Sequence, residues 1–227
     1  MKTLFFVQSF LLATAAFSLT ETVTIHPSEV HVPMGFDSND NAEIIVTGLM
    51  RDTCHRRPTG KVHVKDHEIT VDMKADKVSG REVYCIKAMV PYMVSVPLGQ
   101  LGKGRYNVSV GTDTVKSHSL QIGSPGAASI DNFTYANVTS VTKNVENGSI
   151  TLSGEHPSNC MAIERVEVIA NETKDTMSVL PIVTQTGEVC NLVMTPFSVD
   201  VPLEASVANS AVFHVRKLDG TAINFRW

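Results

Sequence analysis

Apolar and polar residues alternate one for one along most of the chain, the period of a strand with one buried face. In the first half such segments are Thr22–His26, Ala42–Thr47, Lys61–Lys65, Ile69–Met73, Val83–Val90, Tyr92–Leu98, Arg105–Val110 and Val115–Ile122. In the second half they are Phe133–Val138, Ser149–Ser153, Arg165–Ala170, Met177–Val183, Val189–Met194, Phe197–Leu203, Ala211–Arg216 and Ala222–Trp227. All are short, rich in Val, Ile and Thr, and bounded by Gly, Asn, Asp or Pro. No helical stripe follows residue 18, so the pattern predicts an all-β chain.

The first eighteen residues break the pattern. Lys2 precedes an apolar run from Leu4 to Ala16, and Ala16 and Ser18 supply small residues for a cleavage site. This is the layout of a secretory signal peptide, and the run is too short to span a bilayer. A secreted, extracellular protein is expected (periplasmic in a bacterium), with no membrane span.

One phrase occurs twice. CIKAMVPYMVSVPL at residues 85–98 and CNLVMTPFSVDVPL at residues 190–203 share C-x5-P-[YF]-x-V-x-V-P-L. Gly48 and Gly154 each precede a cysteine, Cys54 and Cys160, by six residues. Such agreement over a long stretch predicts an internal duplication. Domain 1 is expected at 20–123 and domain 2 at 130–227, joined by a small, turn-rich linker at 124–129. Four cysteines allow three pairings, and one pair per repeat selects Cys54–Cys85 and Cys160–Cys190. Within the phrase, Tyr92, Val94, Val96 and Leu98 share one strand face, as do Phe197, Val199, Val201 and Leu203. The prolines then confine each strand to a sheet edge or an early end.

Residues 96–111, VPLGQLGKGRYNVSVG, are similar to closing hairpins of bacterial exported β-sandwich modules. There a strand ends in Leu, turns at Gly and returns as G-x-Y-x-V-x-V. Both halves loosely resemble tandem immunoglobulin-like modules of secreted proteins. The resemblance implies two antiparallel β-sandwich domains and no particular activity. One departure is that antibody-type domains bury a Trp between their cysteines, whereas the single Trp here is Trp227.

Charge narrows the classes further. Without residues 1–18 the chain holds 18 basic and 23 acidic side chains, and the deficit of cations lies in the second half. A nucleic-acid partner would need a basic stripe, and none is present. No nucleophile elbow, H-E-x-x-H or phosphate loop occurs, so an enzyme is not expected.

Metal sites are weakly indicated, and no cofactor is predicted. His63 and His67 lie about 13 Å apart along a strand. His26, His31 and His55, with Met34, Met50, Met89 and Met93, are scattered. The run Asp37–Glu43 is dense in oxygen donors but lacks the glycine and glutamate of a calcium loop. His55, Arg56 and Arg57 form the one compact basic cluster, a candidate loop for an anionic ligand or partner. Asn107, Asn132, Asn137, Asn147 and Asn171 head N-x-[ST] sequons.

The expected function is that of a secreted, non-catalytic binding protein recognising a protein or glycan through its loops. The alternative is a structural or chaperone-like accessory protein that pairs its sheet edges with a partner's strand. A metal-binding domain stands third.

Overall fold

The computed structural model describes residues 19–111, 118–125, 134–204 and 210–227. The leader at 1–18, part of the expected linker and the sequon at Asn132 lie outside the described residues. Among those described there is no helix, and therefore none long and apolar enough to cross a membrane.

The first half contains β1 (Leu19–Thr24), β2 (Pro27–His31), β3 (Phe36–Asp37), β4 (Ala42–Met50) and β5 (His55–Lys65). These are followed by β6 (Glu68–Ser79), β7 (Val90–Gly99), β8 (Gly104–Val110) and β9 (His118–Gly123). The second half contains β10 (Val138–Asn144), β11 (Ser149–His156), β12 (Met161–Ala170) and β13 (Thr176–Gln185). It closes with β14 (Thr195–Pro202), β15 (Val212–Arg216) and β16 (Ala222–Arg226).

Each half faces a small sheet against a larger one. The small sheets are β2-β4-β7 and β10-β11-β14. The larger sheets contain β5-β6-β8-β9 and β12-β13-β15-β16, with β1 and β3 added to the first. The same senses recur in both: antiparallel, then parallel at β6–β8 and β13–β15, then antiparallel again. The parallel pairs arise because the chain leaves the large sheet, runs through β7 or β14 in the small one, and returns. Each half has its own apolar core, one running from Ile25 to Ile122 and the other centred on Val138, Ile150, Leu152, Val179 and Phe213. The chain is an all-β protein of the β-sandwich type.

The repeated phrase forms β7 and β14, and each is an edge strand of its small sheet. Tyr92, Val96 and Leu98 are buried, and Phe197, Val199 and Val201 face the second core. Pro91, Pro97, Pro196 and Pro202 point the other way, where an edge tolerates a missing donor. The shared glycine has a cause as well. Gly48 sits opposite Tyr92 in the ladder and Gly154 opposite Phe197. A Cβ on Gly48 would lie 2.6–2.7 Å from the Tyr92 ring and hydroxyl; one on Gly154 would lie 2.0 Å from the Asn137 carbonyl oxygen and also meet the Phe197 ring at 2.9 Å. Each aromatic lies over the bare backbone of the facing strand.

Between the halves lies a buried polar seam. Along β15, Phe213 and Val215 enter the second core, while Val212, His214 and Arg216 turn to the opposite face, and the whole strand is buried. Arg216 donates to both carboxylate oxygens of Asp40, at 2.8 and 2.5 Å, and its guanidinium lies over the rings of Phe36 and Tyr135. His214 Nδ1 is 3.3 Å from Glu43, and Asn224 donates to Glu43 and Ser95. Arg226 donates to Glu29 at 2.6 Å, and His31 lies 3.8 Å from Asp175.

These contacts set an acid limit on the fold. Burial opposes ionisation of Asp175, but His31, Thr176, Asn171 and Thr173 outweigh it and hold the carboxyl well below its ordinary value of 3.8. Burial likewise opposes ionisation of Glu43, and His214, Asn224 and Ser95 lower it on balance; Arg226 lowers Glu29. Carboxyls depressed in the fold contribute stability that is complete above their unfolded values and is lost as pH falls through the folded ones. Urea midpoints are therefore expected to fall below about pH 4.5, the ordinary glutamate value. Asp175→Asn should give a shallower fall, and an unchanged slope would refute the assignment.

Candidate functional site

Two segments expected as strands pair with no ladder. Residues 80–89 and 186–194 run as connections into β7 and β14, each held at its cysteine. Cys54–Cys85 and Cys160–Cys190 are disulfides, with Cα atoms 5.3 and 5.4 Å apart. The surrounding hydrogen bonds also match. Thr53 N donates to Ile86 O and Asn159 N to Asn191 O, one residue before the first cysteine and one after the second. Ala88 N donates to Ile86 O and Val193 N to Asn191 O, both at 2.9 Å. Each segment is therefore tethered covalently and by its own backbone.

What these tethers hold out is apolar. Tyr84 is 90% exposed, Ile86 68% and Met89 60%; Val189 is 92% exposed and Leu192 90%, and Val193 and Met194 are more than half exposed. Scattered exposed apolar residues need no explanation, but clusters on rigid segments do. The alternation of Val83–Val90 and Val189–Met194 suggested strands because period two reports an extended backbone and not its partner. An open groove of about 560 Å³ adjoins the second segment, lined by Met161, Val183, Gln185, Glu188 and Leu192. A similar one lies on the outer face of β4 and β7, among Leu49, Pro91, Met93, Thr47 and the Glu29–Arg226 pair.

The other candidate residues are dispersed. His55 bonds Asp52 at 2.7 Å and holds that carboxyl below its usual value, and Arg57 pairs with Asp76 at 3.1 Å. Arg56 alone of the basic cluster has no ion pair among the described residues. In the donor-rich run, Asp40 is drawn inward to Arg216, and Asn39 N donates to Asp37. His63 faces Asp72 and His67 packs on Tyr106. Met50 is buried in the first core and His31 lies in the seam, away from His55. Asp52, Cys54 and Cys85 approach one another, but both sulfurs are spent in the disulfide.

Of the sequons, Asn107 and Asn147 are exposed and Asn137 is half-buried. Asn171 uses both ends of its amide locally, Nδ2 donating to Asp175 and Oδ1 accepting from two backbone amides. Sheet edges are also guarded. Edge strand β5 carries Pro58, two lysines and a bulge between Arg56 and Thr59, and edge strand β12 a bulge at Ile163/Arg165.

Residues 44–120 match the family model described as the ORF11 beta-sandwich domain. The matched stretch runs from β4 into β9 and includes the first disulfide and segment 80–89. It covers about a third of the chain and agrees with the sandwich architecture. No curated protein and no solved structure matches the chain.

Proposed function

We propose that this is an exported, non-catalytic recognition protein whose contacts are made by the two disulfide-held segments. The observation that carries this reading is the exposure of Tyr84, Ile86, Met89, Val189 and Leu192 on backbones already fixed by a disulfide and matched hydrogen bonds. Pre-ordered apolar side chains bind without the entropic cost of arranging a loop, and aromatic and aliphatic anchors dominate interface energies. The guarded edges of β5 and β12 weigh against strand addition. The matching strand order and Gly–aromatic pairs support reading the halves as a duplicated unit whose scaffold is shared and whose segments have diverged.

A photo-crosslinking side chain placed at Tyr84 or Leu192 tests this in the cells that make the protein. Covalent adducts, whatever the class of partner captured, are expected at both positions and none at Thr142, an exposed residue of β10. Equal labelling at all three, or none at 84 and 192, would refute the reading.

A further inference from the structure

The two segments differ in electrical surroundings. Arg81 and Lys87 stand on the first segment itself. Arg51 lies two residues before Thr53, which holds Ile86, and Arg56 two residues after Cys54. All four side chains are exposed, and none forms an ion pair among the described residues. Of the nearby carboxylates, Asp76 is paired with Arg57, whereas Asp52 is hydrogen-bonded to His55 and Glu82 has no ion pair among the described residues. Four cations without an ion pair among the described residues thus stand on the segment that carries Tyr84, Ile86 and Met89 or within two residues of the groups that tether it, in a chain with an acidic surplus. The second segment is the reverse: it carries Glu188, and no Lys or Arg occurs between Lys174 and Arg216.

We infer that the first disulfide segment docks on an anionic lipid surface. This rests on the segments being the protein's contact elements and names the partner of one of them. Tyr84 has an apolar body and a polar tip, the form that settles at headgroup depth, while Ile86 and Met89 reach the acyl boundary. Arg51, Arg56, Arg81 and Lys87 meet the headgroup phosphates, and their aliphatic stems lie along the apolar layer. A sulfated glycan would satisfy the cations but leave Ile86 and Met89 in water. A bilayer supplies both layers at adjacent depths. The tether matters because a floppy loop would lose much of this small apolar gain to ordering. One short segment gives reversible attachment that depends on charge and weakens with salt.

The test uses residues 19–227, which contain every described strand, sedimented with phosphatidylcholine vesicles with and without phosphatidylglycerol. Binding is expected only with the anionic lipid. Arg81→Gln with Lys87→Gln should weaken it about 25-fold, since each cation near an anionic surface is worth about a factor of five. Tyr84→Ser with Ile86→Ser and Met89→Ser should abolish it, with an unchanged circular dichroism spectrum. Leu192→Ser with Val193→Ser should leave it intact. Equal binding to neutral vesicles, or indifference to the segment 80–89 substitutions, would overturn the inference. Absence of vesicle binding alongside a protein adduct at position 84 would overturn it too, in favour of an acidic protein partner, and would leave the recognition reading standing.

Discussion

Asp40→Ala is expected to destabilise the protein by about 3–5 kcal/mol in urea unfolding at neutral pH. Asp40 and Arg216 are each no more than 3% exposed, and two hydrogen bonds join them across the seam. Removing the carboxylate takes two charge-assisted hydrogen bonds from a buried guanidinium that cannot shed its proton and that keeps a longer bond to Gly35 O at 3.4 Å. Its position over Phe36 and Tyr135 compensates only in part, because a ring face offers weak attraction compared with a paired carboxylate. The double substitution Asp40→Leu with Arg216→Met should therefore be less harmful than Asp40→Ala, since replacing a whole buried pair with apolar groups is often near neutral. A loss below about 1 kcal/mol for Asp40→Ala, the scale of an exposed pair, would show that the seam is wet or open in solution.

Removing either disulfide should have a comparable effect. The bridges close loops with sequence separations of 31 and 30 residues. Chain entropy assigns about 3–4 kcal/mol to loops of that size. Cys54→Ala with Cys85→Ala, and Cys160→Ala with Cys190→Ala, are each expected to lower the unfolding free energy by this amount. The two pairs serve separate cores, so their losses should add to within about 0.5 kcal/mol. Each substitution should also free its segment: the amide of Ile86, held by Thr53 Oγ1 at 3.0 Å, should lose protection in hydrogen exchange when Cys54–Cys85 is absent. If that protection persisted, the backbone alone would suffice to hold the segment. In the intact protein, a non-reduced digest should join Cys54 to Cys85 and Cys160 to Cys190.

Much of this architecture is legible in the sequence. The alternation of Tyr92, Val94, Val96 and Leu98 identifies a core-facing strand, and the prolines restrict it to an edge or an early end, because side-chain direction and the missing proline donor are properties of the local backbone; the strand order then puts it at an edge. The repeat selected the disulfides because covalent spacing is carried in the chain itself. The Gly48–Tyr92 and Gly154–Phe197 pairs are not legible in the chain, although both partners repeat. Their meaning needs the ladder register, which joins strands more than forty residues apart.

The functional elements were less legible. His55, Arg56 and Arg57 stood out as a cluster, yet Asp52 and Asp76 claim two of the three. Val83–Val90 and Val189–Met194 read as strands from their alternation alone. Apolar alternation reveals which residues share a face, but whether that face meets a core or water depends on what is packed opposite. The converse holds in β15, where His214 and Arg216 occupy the polar positions of an amphipathic strand and would be assigned to solvent.

The sequence alone determined the β-class, the cysteine pairing and the buried face of the repeated strand, because each follows from local periodicity or spacing; its prolines narrowed that strand to an edge or an early end. Only the tertiary structure decided that the polar face of β15 is buried against Asp40 and Glu43, and that Tyr84 and Leu192 are left in water. Both outcomes turn on contacts made or missing across long sequence distances, 176 residues in the case of Asp40 and Arg216, and no local pattern encodes which surface arrives there.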